Sequence, residues 1–431
     1  MKILIKGGRV IDPASGTDQT ADVAVAAGHV LSIGPVPADF TPGKTIDASG
    51  CIVIPGLVDL AVRLREPGHE HANSLKSEMA ASVAGGVTSL VCPPDTDPVL
   101  DEPGLVEMLK FRSARLHQSR VYPLGALTRG LKGEVLTEMV ELTQAGCVGF
   151  GQADVPLPNI QMLLRALQYA STFGYCVWLR PQDRDLGTGV VASGPLATRM
   201  GLSGIPVAAE TIALFTIIEL MRSSGARVHL CRLSSAAGLE LVRQAKREGL
   251  PLTCDVSINS LHLMDTDIGY FDSRSHLIPP LRQQRDRDAL RLALADGTID
   301  ALVSDHSPVD DDDKTLPFAE SEPGASGVEL LLGLALKWAT ESGVPLQRAL
   351  AAVTSEPARI LATSAGALAG SGAGRLVAGG VADVCVFDPQ QEWVINAQNL
   401  RSQGKHTPFS GYALQARVRA TLVGGHLAYE A

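Results

Sequence analysis

Eight short apolar runs, separated by amphipathic stretches of helical length, fill the middle of this 431-residue chain. They are Leu57–Ala61, Val87–Cys92, Val121–Leu127, Cys147–Phe150, Cys176–Leu179, Arg227–Cys231, Leu252–Val256 and Ile299–Ser304. Each has the length of a strand buried on both faces. Helix candidates between them include Leu75–Ala84, Ile160–Tyr169, Glu210–Ser223, Gly238–Arg247 and Arg285–Ala295. Gly85-Gly86 and Gly249 stand where helix C-caps are expected. Strands alternating with helices imply parallel βαβ units, and eight of them predict a closed (β/α)8 barrel, an α/β fold of the TIM type.

The chain ends read differently. Residues 1–54 form several short alternating runs with turns at Pro13-Ala14-Ser15-Gly16 and Gly43-Lys44, and residues 374–431 do the same. Neither end is long enough for a β domain of its own. The expectation is therefore one small composite β-sandwich built from 1–54 and 374–431, beside a barrel of residues 55–373. Gly370-Ser371-Gly372 and Gly379-Gly380 read as isolated turns, without the strand-turn-helix context of a phosphate loop.

Charge and cysteine usage narrow the partners. The 37 Lys+Arg against 46 Asp+Glu give a net charge of −9, which argues against a nucleic-acid surface. No apolar run is long enough to cross a membrane, and the N-terminus MKILIKGGRVIDP lacks the apolar core of a signal peptide. The seven scattered cysteines, never in C-x-x-C, read as buried reduced thiols and suggest a cytoplasmic protein. The acidic run Asp310–Asp313 lacks the spaced ligands of a calcium loop and reads as a solvated loop.

In a barrel of this type, chemistry belongs at the C-terminal ends of the strands. There the chain carries PGLVDL…LREPG from Pro55, AGGVTSLVCPP-x-T-x-PVLD from Ala84, PPLR at Pro279–Arg282, DGTIDALVSDHSP from Asp296 and TPF-x-G at Thr407–Gly411. In order and spacing these segments resemble the dihydroorotase family of amidohydrolases, over nearly the whole chain. The resemblance implies zinc held by His-x-His after the first strand, a carboxylate after the fourth, histidines after the fifth and sixth, and an aspartate after the eighth.

This chain departs from that pattern at almost every ligand. The His-x-His positions hold Ala61 and Arg63. The fourth-strand segment is Phe150-Gly151-Gln152-Ala153-Asp154, so both family aspartates are gone and Asp154 stands in place of a glycine. Arg180 and Arg232 take the fifth- and sixth-strand histidine positions, and only Asp305 remains. A guanidinium stays protonated and offers no lone pair to a metal. Catalytic zinc needs about three protein ligands and an open water position. No zinc or other cofactor is therefore expected, and without it nothing lowers the pKa of an attacking water from about 16 to about 7.

The substrate side is altered as well. Asp95 replaces a family asparagine, Ile278 another, and Val309 a histidine, while Arg65 resembles the arginine that binds the substrate carboxylate. His306 reads as a structural residue, and His69-Glu70-His71 as an exposed loop beyond the strand. With the metal gone, Arg63, Arg180 and Arg232 would repel one another. Asp305, with Asp154 or Asp95, is expected to form an ion-paired cluster with them.

The missing histidines make the chain similar to the non-catalytic dihydroorotase-like subunits that assemble with bacterial aspartate carbamoyltransferase. By implication its partner is the carbamoyltransferase catalytic chain, in a hetero-oligomer or with a homo-oligomer of its own, serving pyrimidine biosynthesis. Two alternatives stay open: an active dihydroorotase, a cyclic amide hydrolase, with an atypical site, and a metal-free anion binder using the four arginines.

Overall fold

The computed structural model describes residues 2–364 and 372–431; Gly370 and Ser371 lie outside them. Every apolar run becomes a barrel strand. The eight are Leu57–Asp59, Val87–Cys92, Arg120–Pro123 continuing as Gly125–Ala126, Phe150–Gly151, Cys176–Leu179, Arg227–Leu230, Leu252–Ser257 and Ala301–Val303. Each pairs in parallel with the next. The ring closes through a parallel bridge between Val62 and His306, where Arg63 N donates to His306 O (2.8 Å) and His306 N to Ala61 O (3.0 Å). Closure thus occurs at the strand tops, between the loops that carry the site.

Side chains alternate across the wall, as period-two geometry requires. In the fifth strand Cys176 and Trp178 fill the barrel interior, while Val177 and Leu179 pack outward against the helices. Glycine makes room for the large ring: a Cβ on Gly149 would stand 2.5 Å from Trp178 Nε1. The helices Leu75–Ala84, Ile160–Phe173, Val207–Ser224, Ala236–Arg247 and Gln284–Asp296 form where their apolar spacing predicts. Ser74, Asn159 and Ser235 cap three of them through side-chain oxygens.

The chain ends share one eight-stranded sheet. Its order is His426–Glu430, Arg417–Val423, Val384–Asp388, Ile52–Pro55, Ile3–Asp12, Thr17–Ala26 and His29–Ile33, with Lys44–Asp47 beside the first half of Ile3–Asp12. The seam between the two ends is the antiparallel pairing of Ile52–Pro55 with Val384–Phe387. A bulge between Ile5 and Gly8, with Gly7 at φ 73°, lets Ile3–Asp12 change partners along its length. This sheet has a core of its own, including Ile5, Val23, Val53, Val384 and Leu422.

Residues 393–414 leave that sheet and dock on the barrel. Ile395, Leu400, Phe409 and Leu414 join the main barrel core, which explains the TPF segment as an anchor. The acidic run also differs from expectation. Asp311–Thr315 is a short helix capped by the Asp310 carboxylate, which accepts from Asp312 N. Acidic side chains in a first helical turn face the positive end of the helix dipole, which favours helix over loop. All seven cysteines are free thiols. No helix among the described residues is long and apolar enough to cross a membrane.

Candidate functional site

The sixth and seventh strands lay a polar floor inside the barrel. His229 points inward against Trp178, with ring centroids 4.2 Å apart. Its Nδ1 bonds Thr253 Oγ1 (2.8 Å) and its Nε2 bonds Asp255 Oδ2 (2.9 Å). The other Asp255 oxygen accepts from Arg232 N (2.7 Å), so the floor fixes the backbone that launches Arg232 over the barrel mouth.

Above this floor, the expected ion-paired cluster forms, and Asp154 is its hub. Arg63 Nη2 donates to Asp154 Oδ2 (2.7 Å), Arg180 Nε to Oδ1 (2.6 Å), and Arg232 Nη2 also to Oδ1. Arg63 Nε reaches Asp95 (2.8 Å), and Arg63 Nη1 reaches Ser307 Oγ (2.8 Å). Arg232 Nη1 joins Asp305 Oδ1 (2.9 Å) and the carbonyl of Ile278 (3.2 Å). The cluster therefore ties together the tops of the first, second, fourth, fifth, sixth and eighth strands.

Burial works against every charge here. At Asp154 it is outweighed by Arg232, Arg63 and Arg180, which hold the carboxyl well below the usual carboxylate range. At Asp305 burial prevails and raises the carboxyl despite Arg232 and Arg63. At Arg63, Asp95 and Asp154 overcome burial and raise the guanidinium. Arg180 is lowered by burial and by the like charge of Arg232, against the pull of Asp154.

A cleft of about 200 Å³ opens over the cluster, lined by Arg63, Arg65, Asp95, Asp154, Arg232, Ile278, Asp305 and Ser307 among others. Arg65 lies in it too, paired with Glu322, another lining residue (2.9 Å), and with the carbonyl of Pro308 (2.8 Å) rather than with the Asp154 cluster. Ala61 and Ala153 line a smaller cavity just beneath. Three residues expected at the pocket are not there. Gln152 turns into the wall, accepting from Thr128 Oγ1 and donating to the carbonyl of Leu131 (2.7 Å). His306 points outward, its Nε2 on Glu78 Oε2 (2.8 Å) while Nδ1 accepts from Gly327 N (3.1 Å). That arrangement places the ring proton on Nε2. Val309 is buried beneath Gly324.

The backbone keeps an active-site shape without the ligands. Arg65, Ala153, Arg232 and Asp305 hold φ of 58°, 49°, 55° and 52°. Non-glycine residues in this region cost on the order of 1 kcal/mol each and cluster at functional sites. The retained PPLR segment acts structurally. Arg282 Nε donates to Ser234 Oγ (2.7 Å) and Nη1 to Ile205 O (3.3 Å), while Glu210 accepts from the backbone and hydroxyls of Ser234 and Ser235.

The donor set does not fit the zinc of the amidohydrolase type. Three of its positions present guanidiniums whose N–H groups already point at carboxylates, and Ala61 offers no side-chain donor. His229, Cys231 and Asp255 do approach one another closely. Both His229 nitrogens and both Asp255 oxygens are committed, and burial together with Asp255 pushes the Cys231 thiol well up, away from the thiolate a metal needs. Sequence reading missed Glu322, Ser307 and this floor. Asp255 alone left a signal, as a carboxylate inside an apolar strand.

Comparison with known proteins places the chain in a family. A family described as Dihydro-orotase-like matches residues 50–237. A "Dihydroorotase-like protein" of Pseudomonas aeruginosa is 45% identical over 431 residues, covering all of both chains. The chain belongs to the dihydroorotase-like family. A second dihydroorotase-like protein, from Pseudomonas putida, is also 45% identical, over 100% of this chain and 99% of its own. A "Dihydroorotase" of Geobacter sp. (strain M21) is 38% identical over the full length of both. Among solved structures, L-hydantoinase from Arthrobacter aurescens superposes on this dihydroorotase-like chain with a TM-score of 0.87 at 22% identity, covering 99% of this chain and 96% of its own. D-hydantoinase from Thermus sp. gives 0.84 at 21% identity, over 100% and 96%. These likenesses place the fold among amidohydrolase barrels with a β-sandwich domain.

Proposed function

We propose that this chain is a catalytically inactive dihydroorotase homologue that serves as a structural subunit of aspartate carbamoyltransferase in pyrimidine biosynthesis. The observation that carries the reading is the Asp154 hub. Guanidiniums stand where ligand lone pairs are required, and they are locked there by carboxylates. A site closed in this way neither activates water nor leaves its remaining aspartate, Asp305, free to shuttle a proton. A folded body with intact loops and no ligand set has value through association.

Full-length similarity to chains called dihydroorotase favours a second reading, hydrolysis of a cyclic amide at an atypical site. The anion-binder reading is disfavoured by charge. Arg63, Arg180 and Arg232 face Asp95, Asp154 and Asp305, and Arg65 faces Glu322, so no excess cation is held for a ligand.

The test is to purify the chain with and without the aspartate carbamoyltransferase catalytic chain of the same organism. Zinc, dihydroorotate hydrolysis, complex mass and transferase activity are then measured. The expected outcome is no stoichiometric zinc, no hydrolysis above background, and a stable mixed assembly with altered transferase activity. Separate elution with unchanged transferase activity overturns the subunit reading. Hydrolysis abolished by Asp305→Asn establishes the enzyme reading instead.

A further inference from the structure

A second cleft, of about 420 Å³, lies at the other end of the barrel from the Asp154 cluster. Arg120 lines it and opens the third strand, which runs from there towards the mouth. One wall is the end of the helix Pro103–Ala114 with the turn that follows it. The other is the hairpin between Arg417–Val423 and His426–Glu430, so barrel and composite sheet build the cleft together. Its size is that of an ordinary ligand pocket.

Cations gather here. From Met108 to Gly133 the chain has six Lys and Arg and no Asp or Glu, in a protein of net charge −9. Lys110, His117 and Arg120 of that stretch line the cleft, His426 lines it from the hairpin, and no carboxylate does among the described residues. Asp383, 3% exposed, stands behind them. It accepts from Gly424 N (2.7 Å) and pairs with Arg120 Nη1, so one buried carboxylate fixes the arginine and the hairpin together. Glycine leaves room for that approach, since a Cβ on Gly424 would stand 3.1 Å from Arg120 Nη2.

The remaining donors are open. Nε and Nη2 of Arg120 meet no acceptor among the described residues. Lys110 Nζ reaches the carbonyl of Ala145 at 3.5 Å and keeps two of its three N–H groups. His117 stands in the left-handed turn (φ 51°) that ends the helix. Neither its ring nor that of His426 has a hydrogen-bond partner among the described residues. Asp383 balances Arg120, which leaves the charge of Lys110 uncompensated. The floor between these donors is apolar and includes the buried Val121 and Val423.

We propose that this cleft binds an organic phosphate. Lys110, Arg120 and the two imidazoles hold the phosphoryl oxygens, through the charge-assisted bonds that are the strong ones. The carbon body lies on Val121 and Val423. A bare phosphate would leave that floor and most of the volume empty. At the mouth, by contrast, Arg63, Arg180 and Arg232 are already held by carboxylates. The site stands independently of the subunit reading.

The experiment titrates the full-length protein calorimetrically with phenyl phosphate, inorganic phosphate and phenol at constant ionic strength. Hydrogen exchange then locates the bound probe. Phenyl phosphate is expected to bind and to protect residues 115–122 and 423–427. Inorganic phosphate should bind about tenfold more weakly and phenol not at all. Lys110→Ala, and His117→Ala with His426→Ala, should each weaken phenyl phosphate about tenfold, the worth of a charge-assisted bond. Arg165→Ala, which removes an exposed cation on the helix Ile160–Phe173, should leave it unchanged. Absence of saturable binding overturns the site, as does binding that both cleft variants leave intact. Protection at residues 61–66 and 305–309 instead overturns it in favour of the mouth. Equal affinity for inorganic phosphate overturns the organic ligand.

Discussion

Arg63 and Asp154 meet across the barrel mouth at 2.7 Å, joining the loop after the first strand to the loop after the fourth. In the dihydroorotase pattern both regions would contribute metal ligands. Here the cross-link is an ion pair, and the same carboxylate holds Arg180 and Arg232. Removing its charge leaves three close cations with less compensation than they need. Asp154→Asn should therefore destabilise the protein by about 3 kcal/mol, since breaking one side of a buried pair strands the other. Urea unfolding at neutral pH gives the value. A loss under about 1 kcal/mol would mean that water, rather than Asp154, carries the cluster.

Metal removal should have no effect on the fold. A divalent ion bound only by the native state would add its binding free energy to stability. Dialysis against EDTA is expected to leave the thermal midpoint unchanged within about 1 °C, and added zinc should not raise it. A midpoint that falls on chelation and recovers with zinc contradicts the account of the donor set.

The PPLR segment should matter to stability alone. Arg282→Lys keeps the charge but cannot reach Ser234 Oγ and the carbonyl of Ile205 together. Leaving buried polar groups unpaired costs about 1–3 kcal/mol. Hydrogen exchange of the Arg232–Ser235 loop, which Arg282 braces, should rise in the variant. Unchanged exchange there would remove the structural explanation for the retained motif.

Acid should weaken the fold through two histidines, the buried His276 and the partly buried His262. Burial pushes His262 and His276 down to about 4. Both are neutral when folded, whereas the unfolded chain protonates them near 6.5. Between those values the unfolded state binds more protons, so stability present above 6.5 is lost as pH falls towards 4. Each ring contributes up to ~1.4 kcal/mol per pH unit in that window. His262→Gln should flatten this dependence, measured by denaturant unfolding at about pH 7 and about pH 5. A slope identical to wild type would place the acid sensitivity elsewhere.

What the sequence determined by itself is the barrel and the loss of its ligands. Eight apolar runs at βαβ spacing leave few alternatives, because burying both faces of a parallel sheet requires a helix after each strand. The ligand argument needs only residue type, since arginine cannot coordinate a metal wherever its side chain points. Tertiary structure decided which charges meet. Asp154 became the hub through the left-handed turn at Ala153, while Gln152, two residues before it, turned into the wall. His306, next in sequence to Asp305, faces Glu78 on the other side of its loop. Arg65 found Glu322, 257 residues away. Such pairings depend on backbone direction at single residues and on loops brought together only when the ring closes, and neither leaves a periodic mark in the sequence.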